Sequence, residues 1–575
     1  MTVRSPSVLV SNTKVDIDFD ERRIDAIFSA LDQCQLPGAV VGIAIRGKPV
    51  YRKGFGLASL ELPLTLAPSM RLRIGSTSKH FTCFAYMLLC EEGKAGINDP
   101  VSKYFPELHK VTRNVTMRQL MANVSGLRDA YDLVCQFDDH YTGPAGAAQR
   151  LLSEDVLHLY QAIDDVNAPP GSSWIYNNGG WLLLSLAIER LTGHSLERVL
   201  WERVFQPIGM YDSLLLRHDS GFVANRASQH VTSPGNVALR WWEVPSQESN
   251  GVRAAATTPD SFERMSWGLD NFLGAGAVVS TVDDLLRWLA NMGNPRVGSS
   301  KTWALMKEPH ILPNGTSTGY GLGLMIDRYR GYETLHHAGN SFGGNADILK
   351  IPEAELDVVV VVNRQDVSAS TFMYEILNTC LSGGSTRVRK VSAAPVPTGV
   401  FVSPNTGRVV ELVERKGCLY VSVGGTELQA ECDESGREWR MEFAWKAPKQ
   451  SVGLIGDVRR PTGIRFNDFG NIDEMVRAQG CAPELDVGMM LGRYRYEALG
   501  IDANIFQRDE KLWMGVAGGF SLVEFSLEPI AEGIWRARSA GASRVAFIGG
   551  ILTFGHGGFT FANFQTRPVS FRRIA

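Results

Sequence analysis

The stretch IGSTSKHFTCFAYMLLCEEG, residues 74–93, decides how the chain is read. Phe81, Phe84, Ala85, Leu88 and Leu89 recur at helical spacing and Gly93 follows as a stop, which predicts a buried helix from Ser78 to Glu92. At its head Ser76 and Lys79 stand one turn apart, on one face, where the lysine amine can reach the serine hydroxyl. A serine alcohol is a weak nucleophile, and a lysine kept neutral by burial can act as its base. The spacing alone also describes solvated surface pairs: Ser11 and Lys14 share it with no buried helix behind them.

Outward from this helix the pattern alternates sheet and helix. Residues 39–56, AVVGIAIRGKPVYRKGFG, hold two β-rich runs joined at Arg46-Gly47-Lys48, the mark of a hairpin. Helices are expected at 181–192, closed by Gly193, and at 282–292. The run LDVVVVVN at 356–363 reads as a buried strand, and 368–382 returns to a helical period. Strands therefore bracket the helices. Residues 383–398, GGSTRVRKVSAAPVPT, have no apolar period and read as an exposed linker, beyond which short alternating runs such as 419–423 and 511–516 predict an all-β region. A constant offset of 93 within that region superposes Gly399 on Gly492, Phe401 on Tyr494, Gly407 on Gly500, Leu412 on Ile505 and Arg415 on Arg508. It also brings Leu419 to Leu512, Tyr420 to Trp513, Val423 to Val516 and Gly425 to Gly518. Turn glycines and aromatics agreeing together without a gap indicate a duplicated β-module.

Two further clusters can join the Ser76–Lys79 pair. Tyr176-Asn177-Asn178 follows Pro169-Pro170-Gly171 and is expected on a loop just before the 181–192 helix. A phenol beside a lysine can share its proton and deliver one to a leaving group, while the Asn178 amide can hold an acyl group or the lysine. His337-Ala338-Gly339 precedes Asn340 and the Gly343-Gly344 pair. Gly339 permits close backbone approach to a ligand, and an adjacent strand can donate an amide hydrogen to an oxyanion. His336 is a competing imidazole that depends on register, and His556-Gly557-Gly558 reads as a strand turn.

In this order, SxxK at 76–79, YxN at 176–178 and HxG at 337–339, the chain resembles the penicillin-recognising serine hydrolases, which include class C β-lactamases, DD-peptidases, esterases and D-aminopeptidases. LMANVSGLRD at 120–129 and PGSSWIYNNGGWLLLSLAIERLTG at 170–193 extend the likeness. Tyr176 and His337 stand where class A β-lactamases carry the serine of SDN and the lysine of KTG. STSKHFTC at 76–83, NVSGLRD at 123–129 and the duplicated C-terminus are most similar to the D-stereospecific aminopeptidases. The resemblance implies an α+β fold: a beta-lactamase/penicillin-binding-type catalytic domain, with an antiparallel sheet and helices, over 1–385 and a linker over 386–398. Antiparallel β-barrel domains are expected at 399–487 and 488–575, the second contributing to the active site. It implies Ser76, Lys79, Tyr176 and His337 as catalytic residues, with Asn178, Gly339 and Asn340 binding substrate and the backbone N–H groups of Ser76 and Asn340 forming the oxyanion hole. The implied reaction releases N-terminal D-residues such as D-Ala from short peptides or amides; an esterase or lactam/DD-peptide hydrolase is the alternative.

Composition bounds the partners. An apolar fraction of 44% with 21% charge excludes a largely disordered chain, and 575 residues suggest several domains. A net charge of -3 without a long basic run argues against nucleic acid, and no 18-residue apolar stretch argues against a membrane span. The eleven histidines form no HExxH, so neither metal nor other cofactor is expected. The eight cysteines form no CxxC pair and no framework spacing; with no apolar leader at the N-terminus, a cytoplasmic protein with reduced thiols is expected. A small peptide or amide is the expected partner, and a homodimer is left open.

Overall fold

The computed structural model describes residues 17–32, 35–137, 153–218, 221–232, 260, 262–264, 272–341, 343–381, 395–433, 435–441, 450–480, 487–517, 522–539, 549–564 and 566–574. Most of the 383–398 stretch and the Ser11–Lys14 pair lie outside these residues.

The N-terminal region is built on a six-stranded antiparallel sheet, and its strand order explains why the two ends of the region must meet. The Ala39–Ile45 and Lys48–Phe55 hairpin adds to one edge of Leu356–Val362, followed across the sheet by Gly344–Ile351, Tyr332–Ser341 and Met325–Tyr329. The hairpin turns through Arg46 (φ 52°) and Gly47 (φ 71°), the left-handed pair whose twist suits a two-residue connection. Leu356–Val362 is buried along its whole length because helices cover both faces. Glu21–Asp32 and Ala369–Cys380 lie on one face and Val282–Gly293 on the other, where Val282 comes so close that a Cβ at Gly42 would stand 2.2 Å from it.

Behind Val282–Gly293 lies the helix Lys79–Glu91, entered through a single 3-10 turn at Gly75–Ser78. Phe81, Phe84, Trp288 and Trp303 interlock there, with Phe81 and Trp288 rings 4.4 Å apart. Burying each such side chain stabilises by roughly 1.5–3 kcal/mol. The second helix runs Asn178–Thr192, three residues longer at its start than the apolar pattern indicates. Asn178 is thus the first helical residue rather than a loop residue. Gly179 and Gly180 are poor helix formers, but the Asn177 side chain accepts the Gly180 N–H and caps the turn. Gly193 closes the helix at φ 66°.

The C-terminal region consists of two closed eight-stranded antiparallel barrels, spanning Gly399 to Arg477 and Gly492 to Arg573. Each closes by pairing its first strand with its last, Phe401 opposite Arg477 and Tyr494 opposite Arg573. The 93-residue offset is visible in the backbone. Gly399 and Gly492 adopt φ 147° and 146°, and Gly407 and Gly500 adopt 66° and 64°. Phe401 and Tyr494 both fill barrel interiors, as eight strands require. His556-Gly557 is a strand turn, while Gly518 lies outside the described residues.

Gly399→Ala tests the backbone requirement, since its Cβ would also stand 2.5 Å from the Arg477 guanidinium. The variant should lose about 1–3 kcal/mol of stability, read as a lowered denaturant midpoint. An unchanged midpoint would show that this conformation is not held.

Candidate active site

Ser76 sits in the 3-10 turn, half exposed, while Lys79 behind it is wholly buried. The turn is held by one internal bond and two from neighbouring strands. Ser78 Oγ donates to the Gly75 carbonyl at 2.6 Å and accepts the Val278 N–H at 3.0 Å, and Thr77 Oγ1 donates to the His337 carbonyl at 2.9 Å.

Lys79 Nζ has three oxygen neighbours: Asn178 Oδ1 at 2.9 Å, the Ala275 carbonyl at 2.9 Å and Ser76 Oγ at 3.1 Å. The first two can only accept. A neutral amine has two N–H groups to give them and one lone pair, which then faces Ser76, the neighbour that carries a proton. The electrostatics agree: burial holds Lys79 well below the usual amine range, and the opposing pull of the Asp129 carboxylate does not offset it. The Tyr176 ring covers the amine at 4.7 Å, and burial raises its phenol, an effect that Ser76 only partly offsets, so that it stays protonated.

Asp129 is the residue behind this arrangement. Its carboxylate accepts the N–H groups of Asn178 (2.7 Å), Gly179 (3.1 Å) and Tyr131 (3.0 Å), at the N-terminus of the Asn178–Thr192 helix. Burial, aided by the neighbouring Asp132 charge, pushes it up to about 6. It fixes Asn178 and so the lysine. Asp129 lies within the quoted NVSGLRD segment, yet nothing in the sequence gives it this task.

The register of Tyr332–Ser341 decides between the two histidines. His337 faces the site, its ring 6.4 Å from that of Tyr176, while His336 points to the opposite face beside Asp347, 3.7 Å away. The Ala338 carbonyl at 2.7 Å can only accept, so His337 Nδ1 carries the proton and Nε2 accepts from the Tyr320 hydroxyl at 2.9 Å. Burial, with His80 and Lys79 adding to it, keeps the imidazole neutral. Tyr320 carries no sequence signal for this contact.

Gly339 has a different meaning from the one expected of it. A Cβ there would stand 1.8 Å from the Ile74 carbonyl and 2.9 Å from the Thr77 nitrogen, so the glycine admits the nucleophile turn rather than a ligand. Gly75, at φ 53°, meets the same strand from the other side, with its Cβ position 2.7 Å from the Asn340 nitrogen. The backbone at Asn340 therefore runs directly beside that of Ser76. Ser76, Lys79, Tyr176, Asn178, His337, Gly339 and Asn340 are thus brought together where the Gly75–Ser78 turn meets the Tyr332–Ser341 strand.

The region that holds this antiparallel sheet and the helix bearing Ser-x-x-Lys is matched by the Beta-lactamase family model over residues 24–374, and the chain belongs to that family. The D-aminopeptidase of Brucella anthropi is 26% identical over 379 residues, covering 65% of each chain. That of Brucella canis is 24% identical over 383 residues, or 66% of each. The alignments thus span about two thirds of these relatives' length. The octameric penicillin-binding protein homologue from Pyrococcus abyssi shares the fold, with a TM-score of 0.53 at 20% identity over 80% of this chain and 100% of that one. No helix among the described residues is long and apolar enough to cross a membrane.

Two expectations follow. Because the free amine is present only above the depressed lysine pKa, the rate at which a fluorophosphonate labels Ser76 should reach its plateau well below the ordinary lysine range. It should fall as acid protonates Lys79. A rate that climbs instead toward about pH 10, the ordinary lysine range, would show the amine to be unperturbed. Gly339→Ala should abolish labelling even where circular dichroism shows the sheet intact, since the added methyl separates Tyr332–Ser341 from the turn; labelling at the wild-type rate would contradict this geometry.

Proposed function

We propose that the protein is a serine hydrolase that forms an acyl-enzyme on Ser76 and releases N-terminal D-residues, D-Ala among them, from short peptides or amides. The observation that carries the chemistry is the buried Lys79 Nζ lying 3.1 Å from Ser76 Oγ. The named D-aminopeptidase relatives support the substrate class.

Lys79 Nζ takes the hydroxyl proton as Ser76 Oγ attacks the carbonyl carbon, and the carbonyl π electrons move to oxygen. The Ser76 and Asn340 amides are the proposed donors to that oxyanion. On collapse the C–N bond breaks and the leaving nitrogen receives a proton through the Tyr176 phenol, which is replenished from the Lys79 ammonium. Water then repeats the cycle on the ester and frees the acid and Ser76. His337, neutral and tied to Tyr320, acts by packing beside Tyr176 and not as a charged group. The chemistry uses no cofactor and no metal, and the partner is a small peptide or amide. A cytoplasmic location belongs to the same proposal, supported by Cys83, Cys90, Cys380, Cys418 and Cys432 all being free thiols.

Side-by-side assay of D-alanine p-nitroanilide, its L-isomer, a p-nitrophenyl ester and nitrocefin tests the reading. The D-anilide should be preferred over the L-isomer and nitrocefin; preference for the ester with no D-selectivity would favour an esterase. Ser76→Ala should remove activity and the covalent adduct on the 76–79 peptide. Lys79→Ala and Tyr176→Phe should each lower kcat by about 10²–10⁴ while remaining folded. Near-normal turnover in either would overturn its role.

A further inference from the structure

The connection between the Pro461–Asp468 and Asn471–Arg477 strands of the first barrel is a two-residue turn, Phe469-Gly470, at φ 52° and 90°. The turns Arg46-Gly47, Arg330-Gly331 and Lys416-Gly417 share this left-handed pair, and each begins with a long charged residue. Phe469 is instead a buried aromatic. A bulky residue in this conformation is disfavoured, so something must hold the ring where it is.

What holds it is the N-terminal region. Phe469 packs on Trp174 with ring centroids 4.5 Å apart. Trp174 in turn lies against Tyr176 at 6.2 Å and Tyr320 at 5.6 Å, the phenols that serve Ser76 and His337. The next residue contacts the segment leading to Tyr320: the Gly470 carbonyl accepts from Asn314 Nδ2 at 3.0 Å, and a Cβ at Gly470 would stand 3.0 Å from Thr316. One turn thus touches both segments that bear the phenols.

The turn is itself anchored. Asp468 is buried and bonded to Arg408 and Gln450 of its own barrel and, at 3.2 Å, to Arg567 of the second. Arg567 belongs to the connection after Gly558–Ala562, the topological equivalent of the Phe469 turn. Its backbone N–H donates to Asn167 at 3.0 Å, and its carbonyl accepts from Arg128 at 2.7 Å.

We propose that Phe469 is a positioning residue for the active site: by wedging Trp174 against Tyr176 and Tyr320, the first barrel sets the two phenols at Ser76 and His337. This rests on the acyl-serine reaction proposed above. It gives the first barrel a share in turnover, in addition to the share expected of the second.

The full-length chain carrying Phe469→Ala should lose about 10- to 100-fold in kcat on D-alanine p-nitroanilide with little change in KM, as misplacement of acid–base groups does. Phe469→Leu, which keeps apolar bulk against Trp174, should recover most of it. Histidine-selective ¹⁵N NMR adds a readout that a merely structural role would not move. The His337 signal, assigned by its loss in His337→Gln, should shift in Phe469→Ala as its Tyr320 bond loosens and return in Phe469→Leu. An unchanged kcat, a loss that Phe469→Leu does not relieve, or an unmoved His337 signal would overturn the proposal. If Phe469→Ala does not fold, Phe469→Val is read by the same criteria. If the wild type cleaves no D-amide, the substrate reading fails separately, and the wedge is judged on the His337 signal and the rate of fluorophosphonate labelling at Ser76.

Discussion

A primary amine has been taken out of water with no carboxylate among the described residues in contact with it, and the arrangement around it follows from that fact. Burying an ammonium without a counter-ion is costly enough that the group sheds its proton instead. Asp129, whose charge pulls on the lysine, is held by three backbone N–H groups and itself pushed up to about 6 by burial. It therefore orients Asn178 without recharging the lysine. Had Asp129 bonded Lys79 directly, the pair would have been an ion pair and Ser76 would face an ammonium with no lone pair to offer.

The close approach of two backbones is the second half of the same constraint. The nucleophile turn and the Tyr332–Ser341 strand touch because Gly75 and Gly339 leave their facing surfaces bare, and Thr77 ties them through the His337 carbonyl. A side chain at either position would open the cleft at the point where the Ser76 and Asn340 amides run together. The glycine of the HxG motif is thus a statement about the turn opposite it, which a linear reading assigns to the ligand.

Much of this was legible in the sequence, for reasons that can be named. The Lys79–Glu91 helix and the Leu356–Val362 strand show in apolar period because both are buried by local pattern. The duplication shows because left-handed glycines such as Gly407 and Gly500 cannot be exchanged without strain. Asp129, Ala275 and Tyr320 were not legible, since each acts across 49 or more, 196 or 17 residues through a contact that only the folded sheet creates. Asn178 reads as a loop residue because it follows Pro169-Pro170-Gly171 and precedes the apolar period at 181–192; capping by Asn177 and Asp129 outweighs the low helix propensity of Gly179 and Gly180, an interaction that depends on tertiary approach.

Duplication also explains how two barrels came to contact the N-terminal region at different points. In both copies the connection between the seventh and eighth strands faces the N-terminal region, as a common ancestor's docking edge would. The copies then diverged in length and content. The short turn presents Phe469 to Trp174, while the longer one presents Asn563 and Thr566 to Asp132, and Arg567 to Asn167. Asp132, which the second barrel binds, is the charge that helps burial raise Asp129. Asp468 couples the two: burial alone would raise its carboxyl, but the Arg408 and Arg567 guanidiniums outweigh that and hold it below the usual range. The lowered carboxyl keeps its charge to more acid pH than an ordinary carboxylate, and with it the Arg567 contact that ties the two barrels together.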